Sequence, residues 1–192
     1  MAASSTLKNF LDSQKVKYQL HKHPPVFTAQ EIAAAQHVSG KRLAKCVLLK
    51  TDKGVALAVL PAVQLVNFAK LKTLLRAKRV SLASEAEIKQ AFPDVEVGAM
   101  SPFGNLYHVP VVVEKRLAEE AEIVCNAGTH TETLTVRYRD FAKLAKPRVG
   151  SFGVSVGAPK AAKRSARPAR RTSRARRASR ARRTPRSHRR AS

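Results

Sequence analysis

The chain has 192 residues, with 37 Lys or Arg against 13 Asp or Glu, so its formal net charge at pH 7 is +24. That length accommodates one domain of ordinary size plus an extension, and the charge indicates a polyanionic partner rather than a particular fold. No apolar run is long enough to cross a membrane, and the N-terminal residues lack the basic and then apolar pattern of a signal peptide. The sequence therefore predicts a cytoplasmic protein in which Cys46 and Cys125 are reduced thiols.

The positive charge divides the chain into two parts. From Ala158 to Ser192 there are 15 Lys and Arg and no Asp or Glu, so the remainder holds 37 − 15 = 22 bases and all 13 acids, a net charge of +9. The basic segment has no aromatic or large aliphatic residue, and it cannot bury enough apolar surface to offset its chain entropy. We therefore predict a folded domain over residues 1–150 and a disordered Arg/Ala/Ser/Pro-rich tail over residues 151–192. The paired arginines of its loose repeat are the predicted nucleic-acid contacts: Arg170, Arg171, Arg176, Arg177, Arg182 and Arg183.

The first half of the chain mixes helical and extended patterns. Apolar residues at helical spacing predict a short amphipathic helix around Leu7–Leu11. Thr28 and Glu31 form a capping box, which opens a helix that should end near His37. The almost wholly apolar run Val55–Leu60 predicts a strand buried on both faces. The other predicted elements of this half are strands at Val16–Leu20 and Ala44–Lys50, a turn at Asp52–Gly54 and a helix at Phe68–Leu75.

The second half contains another capping box, at Ser84 and Glu87, and a last helical turn at Asp140–Leu144, after which Pro147 closes the domain. Its predicted strands are Arg79–Leu82, Pro110–Glu114, Glu122–Asn126 and Thr133–Tyr138. Helices and strands are interspersed without strict βαβ alternation. This order predicts a mixed α/β (α+β) fold, with a curved mixed sheet surrounded by helices.

An uncharged loop, Gly98–Gly104, precedes one of these strands. Gly98 can adopt backbone angles closed to other residues and allows another molecule to approach the main chain, and Pro102 fixes its own φ. Such a loop can present bare N–H groups to a carbonyl or phosphate ligand. The alternative is a tight turn that joins two strands.

Lys45 is the most unusual charged residue, because in a strand it shares a face with Val47 and Leu49. A lysine on an apolar face either extends its amine to the edge or lines a cavity. A desolvated amine has a shifted pKa and can bind a carbonyl oxygen or a phosphate. Cys46 points to the opposite face, which indicates a buried structural cysteine rather than an activated thiol.

Two further patterns, a glycine-rich segment near residue 155 and the histidines, give weaker evidence for a functional site. Gly153–Gly157 matches the nucleophile-elbow spacing, but no helix is predicted after it and no Asp follows it, so we reject this interpretation. The histidines do not fall into a standard zinc spacing, and we predict neither a metal nor a cofactor. His130 lies in a polar glycine turn between two strands, where it either reaches a ligand or is a plain turn residue.

Five short segments, taken together and in order, resemble the YbaK / prolyl-tRNA synthetase-associated editing domain family. They are Ala44–Lys45, Ala56–Pro61, Lys78–Val80, Gly98–Pro102 and Asn126–Gly128, within a match from about residue 17 to residue 147. The resemblance implies a barrel-like curved sheet and hydrolysis of the ester that joins a wrong amino acid to tRNA, most often tRNA for proline. It assigns the family lysine to Lys45 and the family loop to Gly98 and Pro102, with His130 a weaker correspondence.

The chemistry of such a substrate suits these residues. An aminoacyl ester is already activated and has a free ribose hydroxyl beside it, so a site can act by positioning that hydroxyl or a water, without a protein nucleophile. It needs donors for the developing oxyanion, which the glycine loop can supply. The predicted catalytic residues are Lys45, Gly98, Pro102 and His130, and the predicted substrate-binding residues are Phe27, Ala99, Met100 and Ser101, with Phe103 as a further lining residue.

A second function remains open at this point. In it the domain is an inert scaffold and the basic tail coats RNA or DNA through electrostatic contacts that are indifferent to sequence. The expected partners are therefore mischarged tRNA and, through the tail, other RNA or DNA.

Overall fold

The strand that carries Lys45 lies near the centre of an eight-stranded mixed sheet. The structure is a computed structural model that describes residues 3–155. Its helices are α1 (Ala3–Ser13), α2 (Ala29–Ala35), α3 (Phe68–Leu75), α4 (Glu85–Ala91), α5 (Lys115–Ala118) and α6 (Tyr138–Ala145), with a 3₁₀ turn at Gly104–Tyr107. Its strands are β1 (Tyr18–Lys22), β2 (Leu43–Thr51), β3 (Gly54–Pro61), β4 (Gln64–Val66), β5 (Val80–Leu82), β6 (Val111–Glu114), β7 (Glu122–Asn126), β8 (Glu132–Arg137), β9 (Arg148–Gly150) and β10 (Gly153–Ser155).

The sheet has the strand order β1-β8-β7-β2-β3-β6-β9, with β5 paired to β2. β2 and β3 form an antiparallel hairpin through the predicted turn, whereas β7 is parallel to β2, and β6 is parallel to β3. The predicted mixed α/β fold class is therefore confirmed. The parallel pairs bring together strands that are far apart in the sequence.

The residues of β2 alternate between two apolar layers. Ala44 and Leu48 point into the main core, which α1 and α6 cover. Leu43 and Leu49 point to the other face, where they pack in two smaller clusters with residues of α2 and α3. Lys45 shares this second face, because side chains two residues apart in a strand lie on the same side.

Both predicted capping boxes are present. The Thr28 hydroxyl accepts a hydrogen bond from the Glu31 backbone N–H, and the Glu31 carboxylate accepts one from the Thr28 N–H. Ser84 and Glu87 repeat this arrangement at the start of α4. These reciprocal bonds satisfy donors that a helix leaves unpaired in its first turn.

The fold continues beyond the predicted end of the domain at residue 150. β9 pairs with β6, and β10 pairs with β4. Phe152, between them, is fully buried, and the buried Glu114 carboxylate accepts hydrogen bonds from the backbone N–H groups of Phe152 and Gly153, at 2.6 and 2.5 Å. Three- and four-residue elements such as β4, α5, β9 and β10 are too short to show a period in sequence, and they were not predicted.

The predicted tail contacts, Arg170 to Arg183, lie outside the described residues. Within residues 3–155, no helix combines the length and the apolar character needed to cross a membrane.

Candidate functional site

The parallel pairing of β2 with β7 positions the candidate site. Leu43–Ala44 aligns with Val124–Cys125, so the next residues along both strands, Lys45 and Asn126, lie side by side on the second face of the sheet. Because Leu43 and Val124 on this face pack together with Ile32 of α2, the site lies beside α2 and the segment that precedes it.

The antiparallel strands β8 and β1 extend this row of polar residues. Asn126 is opposite Thr133 in β8, and Thr133 is opposite His21 in β1. Lys45, Asn126, Thr133 and His21 therefore cross four adjacent strands on one face. His23, two residues after His21, continues on the same side and is buried.

Several buried polar atoms around this row have no hydrogen-bond partner. Within the described residues, seven buried side-chain N or O atoms are unpaired, and four of them belong to His23, Asn126, His130 and Thr133. Buried polar groups in proteins are nearly always hydrogen-bonded, and the exceptions often mark sites of function or bound water. The concentration of four such atoms indicates a place where a polar ligand completes the hydrogen bonding.

The two histidines present their free nitrogens as acceptors. His130 Nε2 lies 3.0 Å from the Val97 carbonyl oxygen, and His23 Nδ1 lies 2.8 Å from the Pro24 carbonyl oxygen. A carbonyl only accepts hydrogen bonds, so each of these nitrogens carries the proton of its ring. In the neutral ring, His130 Nδ1 and His23 Nε2 are then left with a lone pair, and both atoms are among the unpaired ones.

The glycine loop comes into contact with His130. Gly98 has a φ of +92°, and a Cβ added to it would lie 3.4 Å from His130 Cε1. The loop is joined to the turn before His130, because Gly128 N–H donates to the Ala99 carbonyl at 3.1 Å. Asn126 Nδ2 also donates to the Gly98 carbonyl, at 3.4 Å. The structure therefore brings Gly98, Asn126 and His130 together.

The rest of the loop turns inward. Ala99, Met100 and Ser101, predicted to bind substrate, are at most 4% exposed, and Pro102 is buried too. Met100 and Phe103 belong to the main core, on the opposite side of the sheet from Lys45. These side chains are therefore not open to a ligand in this structure, and the loop offers its backbone at the exposed Gly98 instead.

Lys45 is half-buried, and its Nζ donates to the Ala62 carbonyl oxygen over a long 3.5 Å. Burial lowers the pKa of its amine. The neighbouring Cys46 faces the main core, where burial and the nearby Cys125 raise the pKa of its thiol well above the ordinary value. Lys45 is thus a desolvated cation that can donate to an anionic ligand, whereas Cys46 is a packing residue.

Phe27 closes one side of the site. Its ring centroid lies 4.7 Å from that of His130, at an interplanar angle of 47°, and the residue is 72% exposed. The Val26 N–H donates to the His130 carbonyl at 3.2 Å, which fixes this segment to the turn. In residues 3–155, no group of three or more His, Cys, Asp or Glu is placed to hold a metal ion.

Sequence reasoning singled out Lys45, Gly98, His130 and Phe27, which the structure places around one face of the sheet. It did not assign a role to His23, Asn126 or Thr133. Asn126 could have been found from the sequence, because it belongs to the Asn126–Gly128 segment that carries part of the family resemblance. Thr133 and His23 can be recognised as neighbours of the site only from the strand register.

Known proteins resemble this chain in sequence and in fold. The family model of the aminoacyl-tRNA editing domain matches residues 23–144. The prolyl-tRNA editing protein ProX of Acetoanaerobium sticklandii is 28% identical over 148 residues, covering 74% of this chain and 90% of that protein. A proline–tRNA ligase of a Geobacillus species is 31% identical over 101 residues, covering 53% of this chain and 18% of the ligase.

A solved structure of a candidate trans-editing enzyme for prolyl-tRNA synthetase has a TM-score of 0.72 and 16% identity, covering 81% of this chain and 99% of that one. At that identity the likeness shows the fold alone. Because the family model matches well over half of the sequence, the chain belongs to the aminoacyl-tRNA editing domain family.

Proposed function

We propose that this protein is an aminoacyl-tRNA deacylase, which hydrolyses the ester between tRNA and a wrong amino acid. The family match and the similarity to ProX over 90% of its length support this function. We further propose that its substrate is tRNA for proline that carries a small wrong amino acid. Cytoplasmic action follows from that substrate.

One observation supports this reaction most directly: four unpaired buried polar atoms and one desolvated amine lie along or beside one row of strand residues. Asn126 of this row and the adjoining His130 both contact the exposed Gly98. His130 Nδ1 is an acceptor, so it can take the proton of a water, directly or through the neighbouring ribose hydroxyl, as the water oxygen attacks the ester carbonyl. When the acyl C–O bond breaks, that proton goes to the departing ribose oxygen, which leaves the free amino acid and a tRNA with a free terminal hydroxyl. Lys45 Nζ and the backbone N–H of Gly98, which has no acceptor within the described residues, are donors for the oxyanion that develops.

The remaining residues position these groups. Pro102 is buried and restrains the glycine loop, while Asn126 connects the loop carbonyl to the polar row. Phe27 covers His130 and limits the space for the amino-acid side chain. A pocket that selects by size separates substrates by about 1–3 kcal/mol per methylene, so small differences around Phe27 decide the amino acid.

The basic tail, 151–192, would add affinity rather than chemistry. Its 15 Lys and Arg without any acid favour binding to phosphates. We propose tRNA as its partner, and other RNA or DNA is the alternative that a salt-dependence measurement addresses below.

The decisive experiment is deacylation of a panel of tRNAs charged with correct and incorrect amino acids. We expect the full chain to hydrolyse at least one mischarged tRNA and to spare prolyl-tRNA. If no member of the panel were hydrolysed faster than by buffer alone, the proposed function would be wrong.

A further inference from the structure

A cleft of about 630 Å³ lies at the far end of the β2–β3 hairpin from Lys45. Its floor is apolar and comes from the first residues of β3 and β6 and the last residues of α3 and α6. Its rim is basic, with Lys53, His108, Lys146 and Arg148, and neither Asp nor Glu lines it. The proposed deacylation uses none of these residues.

More positive charge adjoins this cleft. The connection from α3 to β5 carries Arg76, Lys78 and Arg79 and lies against the β2–β3 turn, because the Asp52 carboxylate accepts hydrogen bonds from the backbone N–H groups of Lys78 and Arg79 at 2.8 and 3.2 Å. These amides engage Asp52, and Glu87, which lines an adjoining cleft, is paired with Lys50 at 2.5 Å. We call Lys53, Arg76, Lys78, Arg79, Lys146 and Arg148 the basic cleft.

Most cations of the basic cleft form no ion pair with an acid. Arg148 donates to the Leu74 carbonyl at 2.7 Å, and the Arg79 amide and, to a smaller extent, the Lys53 charge lower the pKa of Asp52. Among the ion pairs formed by residues 3–155, none involves a side chain of the six residues of the basic cleft. Unpaired cations gathered at one concave, partly apolar place create a local field that attracts a polyanion.

The distance to the candidate site suits a nucleic acid. Thr51, which lines the cleft, lies six residue steps along β2 from Lys45. A strand rises about 3.3 Å per residue, so the separation is roughly 20 Å. A nucleic-acid strand carries a phosphate about every 3.4 Å of helix, so about six nucleotides span that distance.

We propose that the basic cleft binds backbone phosphates of the tRNA whose charged end lies at Lys45. This inference rests on the proposed function, since it takes the same tRNA as the ligand of both places. A smaller cleft near the other edge of the sheet is also basic, with Lys15, Lys17, Arg137, Arg139 and Lys143 against Asp140, which lies 3.4 Å from the Arg139 guanidinium. The proposed tRNA contact does not include this cleft, so it serves as the control for net charge alone.

The test uses the full chain with two rim lysines reversed, Lys53→Glu together with Lys146→Glu. Binding of uncharged tRNA is measured at several salt concentrations, so the result does not require deacylation. We expect affinity to fall about tenfold or more near 0.1 M salt, and the slope of log K against log salt to decrease by about 1.5 units, at ~0.7–0.9 per phosphate lost.

The control variant Lys15→Glu with Lys17→Glu carries the same change in net charge, and it should lose little affinity. For catalysis, the rim variant should have a raised KM and an unchanged kcat with mischarged tRNA. It should cleave a 3′-aminoacylated CCA trinucleotide as the wild type does, because that substrate is too short to reach the cleft.

Unchanged tRNA affinity and salt slope in a rim variant with a wild-type thermal midpoint would overturn the proposal. So would an equal loss in the control, which would show an effect of net charge alone. If the wild type deacylated nothing, the proposed function would fail, and the binding measurements would still decide whether the cleft holds tRNA.

Discussion

Lys45 carries a positive charge on a strand face that is otherwise apolar, beside Asn126, whose side-chain amide donates to the Gly98 carbonyl. We expect Lys45→Met, which keeps the aliphatic bulk but removes the donor, to lower kcat/KM for mischarged tRNA by ~100-fold or more. The thermal midpoint should not fall. Lys41→Met, a change at an exposed lysine nearby, removes the same charge and should leave kcat/KM within about threefold. Wild-type turnover in a folded Lys45→Met protein would exclude the amine from the reaction.

The same lysine predicts a pH dependence of stability. Burial lowers the pKa of Lys45 below its ordinary value of 10.5, so between the two values the unfolded chain binds more protons than the folded one, and stability rises with pH. At pH 7 the charged amine is a cost, so Lys45→Met should unfold at higher urea than the wild type. The stability advantage of Lys45→Met over the wild type should shrink as the pH rises from the lowered pKa of Lys45 in the folded protein toward 10.5. An advantage equal at pH 7 and pH 10.5 would contradict the assignment.

Thr133 allows a test of the unpaired polar atoms. Its side chain is fully buried, and its Oγ1 has no hydrogen-bond partner among the described residues. Thr133→Val has nearly the same shape and removes the unsatisfied hydroxyl, so we expect the free energy of unfolding to rise by about 1 kcal/mol. If the hydroxyl contacts substrate, kcat/KM should fall about tenfold at the same time. A Thr133→Val protein that is more stable and fully active would place Thr133 outside the site. Thr135→Val, the same substitution two residues further along the strand, is the matched control.

At the scale of elements, the two C-terminal strands complete the domain. A chain that ends at Pro147 loses β9, β10 and the fully buried Phe152, and the Glu114 carboxylate loses both of its amide donors. Deletion of a buried Phe side chain alone costs about 3–5 kcal/mol, and a buried carboxylate without donors adds to that. We therefore expect this truncation to be unfolded or insoluble by circular dichroism, whereas a chain that ends at Gly157 should fold. A cooperative thermal transition in the shorter chain would show that these strands are dispensable.

At the scale of the whole molecule, catalysis and affinity are predicted to separate. Truncation at Gly157 removes 15 Lys and Arg but keeps Lys45, Gly98 and His130. At saturating mischarged tRNA and low salt, turnover should match the full chain. If the tail engages about five phosphates, the salt slope of log K should fall by roughly three to five units. Unchanged affinity and slope would assign the tail to another partner, and lost turnover at saturation would mean that the tail completes the site.

Local chemistry accounts for the elements that the sequence predicted correctly. A capping box such as Thr28–Glu31 is a contact between residues three apart, so it is visible in the sequence. The apolar run of β3 and the Asp52–Gly54 turn are equally local. The alternation of β2 also follows from the strand period, and it predicted that Lys45 and Cys46 face opposite layers, as the structure shows.

Local patterns in the sequence therefore predicted most of the helices and strands, the family resemblance, and Lys45, Gly98 and His130 as candidate residues. The division into a domain and a disordered basic tail stays a prediction. Which of these residues lie next to each other follows from the strand pairing in the folded chain. The parallel register of β2 and β7 places Asn126 beside Lys45 and makes Thr133 part of the row. Inward packing removes Met100 from the predicted substrate contacts. The strand register and the inward packing of the loop depend on pairing between segments that are distant in the sequence. The unpaired polar atoms depend on which hydrogen bonds the folded chain leaves unmade. Periodic patterns in a sequence reveal helices and strands, but they reveal neither of these features.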